Sequence, residues 1–484
     1  EPGNQKVSLC LAEIYLETKR PEKAIRQLDN IQNSEPNNSE ALRILAESHA
    51  MTGDFILAEE LFRKSLHINP DYASSLLGLA QLLYMTDRPS EGDSLVNEVI
   101  RQKPESTNAY HLLLRKSMRE GSLDDAIKTL EKISSINPDD VFSMYMLGML
   151  YLDAGKLDAA RKVAARLTER KPNHPAAYRI EGVALYQSGD FENSIEKLQK
   201  SINGMPDLPG FYFLGLANYR FGQMEQAISS FQKALDKSPQ HAASRLMLAQ
   251  TFLKQGRIED CIQQVNLAIE SDSLNANAYN ILGSAYLVQG KYDLAMEQIE
   301  TAIKINPKLA QAHLKKGLFN LAAGKKKQGE AGLFNAVNAA PEILNTRLLL
   351  ATYYLRQNNY PLAIQTLEEG LSISPDSALI YNLMAAAKFG QNQPEDAIRY
   401  LEKAKVLKPE YSSPYFNLAN YYISQKAYQA ALLEYQSLLK VDPDYAPALL
   451  KAATLHEQLD RDEEAESFYK KATEDQSPQG YLAL

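Results

Sequence analysis

The sequence predicts an all-α protein, a solenoid of about fourteen helical hairpins that follow one another without a linker. Three observations predict this fold: a period of 34 residues, two small residues at fixed places in each period, and a helix-ending residue between them. A hairpin of this length cannot bury its apolar face alone, so each one must pack against its neighbours. The 484 residues are therefore expected to form one continuous array.

The period is marked by a proline or a serine that recurs every 34 residues. The marks run from Pro36 to Pro206 and, after a single step of 33 residues, from Pro239 to Ser477. Proline cannot continue a helix, so each mark is predicted to follow the end of a hairpin. The predicted repeats are residues 5–38, 39–72, 73–106, 107–140, 141–174, 175–208, 209–241, 242–275, 276–309, 310–343, 344–377, 378–411, 412–445 and 446–479.

Small residues stand at two fixed positions of each repeat. Twelve residues before every mark lies Ala, Gly, Ser or Cys, as at Ala24, Ala295 and Cys261. Twelve residues earlier a second small residue follows the same rule in thirteen repeats, with Leu114 as the exception. Two helices approach to ~8 Å only where no long side chain separates them. These positions are predicted helix crossing points, and Cys261 is predicted to be a buried structural thiol.

The turn between the two helices of a repeat is predicted at residues that tolerate a left-handed backbone. These residues are Gly53, Gly121, Gly155, Gly189, Gly222, Gly256, Gly290 and Gly324, with Asp87, Asn358, Asn392 and Asp460 in four other repeats. Polar residues directly after the marks are predicted to cap the next helix. The candidate caps are Asn37, Asp71, Asp139, Asn173, Asp376 and Asp444.

Together these features resemble the tetratricopeptide repeat, a 34-residue helix–turn–helix unit with small eighth and twentieth residues and a proline near position 32. The likeness covers nearly the whole chain. The tryptophan of that repeat is absent, and residues such as Tyr110, Tyr279 and Tyr415 hold its place. The resemblance implies a right-handed superhelix with a concave groove, and a noncatalytic scaffold that binds peptides or helices of partner proteins in that groove.

In this family the groove is lined by the second, fifth, ninth and twelfth positions of the first helices, which form one stripe at helical spacing. Aromatic residues in the stripe suit peptide binding because they bury a large area at a small entropy cost. The alternative is that they only fill space between adjacent helices. The predicted groove residues are Arg43, Glu47, Tyr84, His111, Arg115, Tyr145, Met149, Arg179, Tyr186, Tyr212, Tyr219, Asn280, Asn382, Phe416 and Asn420.

Two groove patterns of the family are incomplete in this sequence. Asn420 and Lys451 supply part of the clamp that holds a peptide carboxylate, but Phe416 stands where the clamp has lysine. The asparagine ladder of sugar-transferase relatives is represented only by Asn417. Neither pattern therefore predicts the ligand.

No motif for catalysis, a cofactor or a metal is present. The seven histidines form no HExxH motif, and the two cysteines form no CxxC motif. No stretch reaches the ~18 consecutive apolar residues of a membrane-spanning helix. The sequence thus predicts that this segment is not an enzyme, binds no cofactor and carries no transmembrane helix.

The net charge of −8 argues against nucleic acid as the main partner, since phosphate binding needs clustered basic charge. One region departs from the acidic balance: residues 301–329 contain seven lysines and no acid. This basic band is either a solvated surface or a site for an acidic protein or an anionic polysaccharide. Its members are Lys304, Lys308, Lys315, Lys316, Lys325, Lys326 and Lys327.

The only break in phase lies at residues 202–213, INGMPDLPGFYF, where one residue of the period is missing. One interpretation is a hinge between two halves. The other, which we favour, is a single-residue deletion that changes only the local twist.

A narrower resemblance concerns the stretch that contains GLFNAVNAAPEILNTRLLLATYYLR. It is similar to the PrsT family of repeat proteins associated with bacterial PEP-CTERM sorting and exosortases. The resemblance implies a role in envelope assembly or exopolysaccharide production, in the cell envelope or periplasm with the cytoplasm as the alternative. The chain starts without methionine, and residues 480–484 look like the start of a further helix, so we expect a fragment of a longer protein. The remaining alternative is the substrate-targeting arm of an enzyme such as a glycosyltransferase.

Overall fold

A computed structural model describes residues 5–474, which contain 28 α-helices and no strand. The all-α fold and its repeated hairpins are thereby confirmed. The described residues form two compact units, the first ending at Thr251 and the second starting at Phe252. The predicted mark at Ser477 and the predicted helix at residues 480–484 lie outside the described residues.

Odd-numbered helices are the first helices of the hairpins and even-numbered helices are the second ones. The first unit contains α1 (Gln5–Glu17), α2 (Pro21–Ser34), α3 (Ser39–Thr52), α4 (Phe55–Ile68), α5 (Ala73–Met85), α6 (Pro89–Gln102), α7 (Thr107–Glu120), α8 (Leu123–Ile136), α9 (Val141–Asp153), α10 (Leu157–Arg170), α11 (Pro175–Ser188), α12 (Phe191–Gly204), α13 (Leu208–Phe221) and α14 (Met224–Lys237). The boundary between the units falls within α15 (Ala242–Lys254).

The second unit continues with α16 (Ile258–Ser271), α17 (Ala276–Val288), α18 (Tyr292–Ile305), α19 (Ala310–Ala322), α20 (Lys326–Ala339), α21 (Leu344–Arg356), α22 (Tyr360–Leu371), α23 (Ala378–Gly390), α24 (Pro394–Leu407), α25 (Ser412–Ser424), α26 (Tyr428–Leu439), α27 (Ala446–Gln458) and α28 (Asp462–Glu474). From α1 to α14 and from α16 to α28 each helix packs on the next one along the chain, and several first helices also touch the first helix of the next hairpin.

The predicted turns are confirmed. All eight glycines and the four Asp or Asn residues have a positive φ, which ends the first helix of each hairpin. Lys19 and Lys426 adopt the same conformation in two repeats that have no glycine, asparagine or aspartate there. The turn is thus fixed by the hairpin geometry, and lysine tolerates it at some cost.

The predicted helix caps are wrong by one residue. Asn38, Asp140 and Ser377 accept the backbone N–H bonds at the helix starts, in place of the residues that precede them. Asn173 has a φ of 62°, and the next residue, His174, is the cap. In the same way Asp71 and Asp444 precede Tyr72 and Tyr445, which stand at the cap positions. The chain needs one more residue after the proline to reverse direction before the next helix begins.

A close helix contact lies at the predicted crossing point Gly317. Gly317 of α19 faces Gly332 of α20, and a Cβ added to Gly332 would lie 2.4 Å from the Gly317 Cα. Because that contact is backbone against backbone, no side-chain rotation can relieve it. Cys261 is also fully buried at such a crossing, as predicted, and burial raises the pKa of its thiol to about 12.

The apolar core of each unit is a series of clusters that each join a few neighbouring hairpins. In the first unit one cluster extends from Leu9 to Leu83 and another from Tyr110 to Ala217. In the second unit a cluster extends from Tyr415 to Leu455. No helix within residues 5–474 is long and apolar enough to cross a membrane.

Candidate interaction surfaces

The first helices of the hairpins form one surface of each unit, here called the first-helix face. The predicted groove residues lie on these helices, but most of them already have partners inside the protein. Arg43 on α3 is buried, and its guanidinium donates to Glu13 Oε1 at 2.7 Å and to Glu47 Oε1 at 2.9 Å. Burial raises the pKa of Glu47, against the lowering effect of Arg43. This group ties α1 to α3.

Arg179 on α11 is fully buried and has three partners. Its guanidinium donates to Asp207 Oδ2 at 2.8 Å, to the Met205 carbonyl at 2.9 Å and to the Tyr145 hydroxyl at 3.2 Å. Asp207 also accepts the Gly210 N–H at the start of α13. Arg179 therefore connects α9 and α11 to the loop where the repeat is one residue short.

Two asparagines of the predicted groove accept hydrogen bonds from the next first helix. Lys315 donates to Asn280 Oδ1 at 2.9 Å and to the Asn280 carbonyl at 3.1 Å. Burial lowers the pKa of Lys315 to about 8. Asn417 Nδ2 donates to Asn382 Oδ1 at 2.8 Å. Side chains about one repeat apart therefore meet on this face.

The remaining predicted aromatic residues are mostly packed between helices. Phe416 contacts the rings of Tyr435 and Tyr445, and Tyr212 contacts those of Phe231 and His241. His111, Met149, Tyr186 and Tyr219 are half-buried, whereas Tyr84 is buried and its hydroxyl donates to Asp93. Ligand contacts by these residues stay a prediction. Arg115 and Asn420 are the predicted groove residues that remain exposed, and each of them lines a cavity.

In the first unit, three methionines follow one another at the C-terminal ends of α3, α5 and α7. Met51, Met85 and Met118 are 47%, 51% and 46% exposed. We call the surface formed by these methionines and the cavities beside them the methionine groove. A cavity of about 250 Å³ lies between α3 and α5, and one of about 150 Å³ lies between α5 and α7. Met85 and Gln81 line both cavities, so the two are adjacent.

The floor of the first cavity depends on a glycine. Phe62 reaches through from α4 and lines the cavity, because Gly78 on α5 leaves room for its ring. A Cβ added to Gly78 would lie 2.5 Å from Phe62 Cε1. An aromatic ring of the second helix thus contributes to the first-helix face.

The methionine groove is cationic at its α7 end. Arg115 is exposed and donates to Gln81 Oε1 at 3.3 Å. Lys116 is paired with Asp93 at 2.7 Å. Arg119 is exposed and forms no ion pair with any described carboxylate. Apolar contact area and unpaired positive charge therefore lie side by side.

In the second unit, a cavity of about 570 Å³ lies between α23 and α25. We call it the asparagine pocket. Its walls carry the exposed Asn420 and the half-buried Asn417, together with Phe389 and Tyr421, whose rings stack at 5.0 Å. Carboxamides beside an aromatic pair offer both hydrogen bonds and apolar contact to a ligand.

The predicted basic band is distributed over several surfaces. Lys304 and Lys308 lie just before α19, whereas Lys325, Lys326 and Lys327 lie just after it. A helix of 13 residues separates the two groups by roughly 20 Å. Lys315 turns to Asn280, and Lys316 pairs with Glu300 at 2.7 Å.

Family models for the tetratricopeptide repeat match most of the chain. One matches residues 145–207, 348–413 and 416–481, a second matches residues 1–47, 50–116 and 219–285, and a third matches residues 276–309. This chain belongs to the tetratricopeptide repeat family. The family consists typically of noncatalytic scaffolds that bind other proteins.

Among curated proteins, the chain is 24% identical over 205 residues to the TPR repeat-containing protein YpiA of Bacillus subtilis (strain 168), which covers 42% of this chain and 48% of that protein. It is 26% identical over 156 residues to the cellulose synthase operon protein C of Xanthomonas axonopodis pv. citri (strain 306), covering 31% of this chain and 10% of that protein. The chain thus spans about half or less of these relatives. They do not show the resemblance to the PrsT family, which stays a prediction.

Among solved structures, YrrB is described as a TPR protein with an unusual peptide-binding site. It is 20% identical, with a TM-score of 0.33, and the match covers 39% of this chain and 97% of that one. A TM-score of this size is too low to support an inference about function.

The methionine groove was not among the surfaces predicted from the sequence. Met51 and Met85 stand one position beyond the stripe that was expected to line the groove, and Met118 stands at its end. A usable signal was present: methionine recurs at nearly the same register in three successive repeats, although the chain has only 11 methionines.

Proposed function

We propose that this chain is a noncatalytic scaffold that binds peptide segments or helices of partner proteins on its first-helix faces. The observation that carries the proposal is the methionine groove. Met51 and Met85 are half-exposed at the same repeat position and line its cavities, and the half-exposed Met118 lies one position earlier in the next repeat. Such apolar side chains are costly to leave in water. Contact with a partner would remove that apolar area from water.

The chemistry of the groove indicates which peptides it would take. Methionine is flexible and polarisable, so it adapts to apolar side chains of different shape. Arg115 and Arg119 would attract a carboxylate at the α7 end. The expected ligand carries apolar side chains over α3 and α5 and an acidic residue near α7.

The asparagine pocket supports the same function in the second unit. A carboxamide offers a donor and an acceptor, which matches a peptide bond. Asn420 is exposed and Asn417 is held by Asn382, so one amide is free to bind and the other is fixed in position. The Phe389 and Tyr421 rings would receive an adjacent apolar side chain.

Selection from a random-peptide phage library on the purified chain tests the proposal. We expect peptides whose affinity, measured by fluorescence anisotropy, falls about tenfold or more with Met85→Glu, because a charge replaces apolar contact. The matched control is Ile56→Glu on α4, where the isoleucine is 86% exposed. Peptides that bind both variants and the native chain equally would contradict the methionine groove, and a selection that enriches none would contradict the scaffold.

A narrower role in bacterial envelope or exopolysaccharide assembly is supported by one observation, the likeness to the cellulose synthase operon protein C. The alternative of an enzyme's targeting arm has comparable support from a match to the protein O-mannosyl-transferase Tmtc3 of Drosophila melanogaster, 28% identical over 21% of this chain and 11% of that protein. Identification of crosslinked partners in the native cell would distinguish the envelope role from the enzyme-targeting role. Envelope synthesis proteins as partners would support the first role, and one dominant enzyme substrate would support the second.

A further inference from the structure

A large cavity lies away from the first-helix face, between the second helices α18 and α20. Its volume is about 700 Å³, and α18, α19 and α20 all contribute to its lining. The cavity belongs entirely to the second unit, so it is a different site from the methionine groove. It also lies outside the asparagine pocket, with which it shares no lining residue.

The cavity exists because this hairpin lacks bulk where others have it. Asn320 stands at the position that holds tyrosine in five other repeats, namely Tyr15, Tyr151, Tyr286, Tyr354 and Tyr422. On α20 the lining includes Ala331 and Gly332, which add almost no side-chain volume. The close contact of Gly332 with Gly317 holds α20 against α19 without filling the space above it.

Besides the cavity itself, the side chain of Asn320 indicates a ligand. The residue is only 5% exposed and lines the cavity, yet its carboxamide forms no hydrogen bond with any described residue. Its backbone carbonyl accepts the Lys325 N–H at 2.8 Å, which fixes the position of the residue. The carboxamide is accessible from the cavity, so a peptide group that enters can replace water as its hydrogen-bond partner.

Two further carboxamides line the same cavity from α20. Gln328 and Asn335 are exposed and have no hydrogen-bond partner among the described residues. With Asn320 they present donors and acceptors from two helices. Peptide groups have the same pairing of N–H and C=O, so a peptide main chain would satisfy all three.

Positive charge is concentrated at one end of the cavity. Lys325 lines it, and Lys326 and Lys327 follow in the first turn of α20. None of the three forms an ion pair with a described carboxylate. Lysines at a helix N-terminus are repelled by the helix dipole, and this first turn contains no acid to offset that repulsion. An incoming carboxylate would be attracted both by the lysines and by the positive end of the helix dipole.

The acids near the cavity decide which kind of anion fits. Glu300 is paired with Lys316, and Asp293 lines the wall formed by α18. Glu330 faces Tyr354, whose pKa is raised to about 12 by burial and then by this carboxylate. A uniformly charged polymer would be repelled by Asp293, whereas a ligand with its charge at one end would not.

We propose that this cavity binds an acidic peptide segment, with its carboxylates at Lys325, Lys326 and Lys327 and its main chain on Asn320, Gln328 and Asn335. An acidic partner would then bind on a different surface from the ligands of the first-helix face. One chain could then hold two partners at once.

The test is fluorescence anisotropy with the whole chain and a labelled decapeptide of Gly-Ser-Gly-Ala-Gly followed by Glu-Asp-Glu-Asp-Glu. Replacing Lys325, Lys326 and Lys327 together with glutamate should weaken binding by about tenfold or more. The control reverses two charges instead of three: it replaces Lys304 and Lys308, at the other end of α19, with glutamate and should change affinity by less than about threefold. Equal loss in both sets would mean that only general charge attraction is measured, and would overturn the proposal.

Asn320→Leu separates peptide recognition from charge, because it removes the amide and keeps a side chain branched at Cγ. We expect about five- to tenfold weaker binding of the peptide. Gln328→Leu, at an exposed position, gives a second measurement if Asn320→Leu fails to fold. Unchanged affinity in the folded variants, or tighter binding of heparin or polyphosphate than of the peptide, would overturn the proposal. Met85→Glu should leave this binding unchanged, so failure here and failure of the first-helix ligand are distinguishable.

Discussion

At the scale of single residues, internal partners decide which predicted site residues can meet a ligand. Residue type and helical spacing mark Arg43, Arg179 and Asn382 as groove residues, but their polar atoms are engaged by neighbours within the protein. One partner of each residue lies 28 to 35 residues away in the sequence, and the exact pairing depends on side-chain reach. The sequence therefore predicts which face a residue occupies, and the structure is needed to tell whether it is free.

Arg179→Ala tests the structural role of the buried arginine. The change leaves Asp207 and the Met205 carbonyl without their donor, and should lower the local free energy of opening around α11 to α13 by about 1–3 kcal/mol. Hydrogen exchange measures this. Arg170→Ala is the control, since Arg170 and its partner Asp139 are exposed, and it should change opening by less than about 0.5 kcal/mol. Equal effects would contradict the assigned role.

The two cysteines should differ sharply in reactivity. Cys10 is exposed, whereas Cys261 is buried with a raised thiol pKa of about 12. Because the thiolate is the reactive form, Cys261 should stay unlabelled at pH 8 in the folded chain. Labelling with iodoacetamide followed by mass spectrometry should modify Cys10 first and Cys261 only on unfolding. Comparable rates for both would show that the predicted burial is wrong.

Lys315 gives a pH-dependent prediction. Its pKa falls from 10.5 to about 8 through burial, so between these values the unfolded chain binds more protons than the folded one. The cost of burying its charge is present below pH 8 and is lost as the pH rises toward 10.5. The stability of the native chain relative to Lys315→Met should therefore rise with pH above pH 8, by at most about 1.4 kcal/mol per pH unit. Thermal unfolding at pH 7 and 9.5 measures it, and a constant difference would contradict this account.

At the scale of helices and turns, local chemistry predicts most boundaries. Every predicted glycine turn has a positive φ, since few other residues tolerate that backbone. The helix starts were wrong by one residue because the cap is selected by the geometry of the preceding reversal, which the residue type alone does not specify. The same limit applies to Phe62, whose place in the methionine groove depends on the absence of a side chain at Gly78.

Gly332→Ala tests the contact between α19 and α20. The added methyl group meets the Gly317 backbone, so the helices must separate, at a cost of about 1–3 kcal/mol. Gln328→Ala on the same helix is exposed and should cost less than about 0.5 kcal/mol. Thermal unfolding monitored by circular dichroism should show a lower onset for the first variant only. An unchanged onset would mean that the helices adjust without strain.

At the scale of the whole chain, each hairpin is stabilised mainly by its packing on the neighbouring hairpins. The period of 34 predicts that arrangement from sequence, because each hairpin contacts mainly the ones beside it. The binding surfaces were harder to predict, since they arise where a repeat departs from the common pattern, as with the methionines of α3, α5 and α7 or with Asn320. Both proposed binding surfaces require hairpins that are held in place by the adjacent hairpins.

Hydrogen exchange of the Gly332→Ala chain tests this claim most directly. If stability is a sum of neighbour contacts, exchange should accelerate in α19 and α20 and, less strongly, in α18 and α21, while the helices of the first unit keep their native rates. Acceleration of similar size in all described helices would show one cooperative core, and would contradict the account.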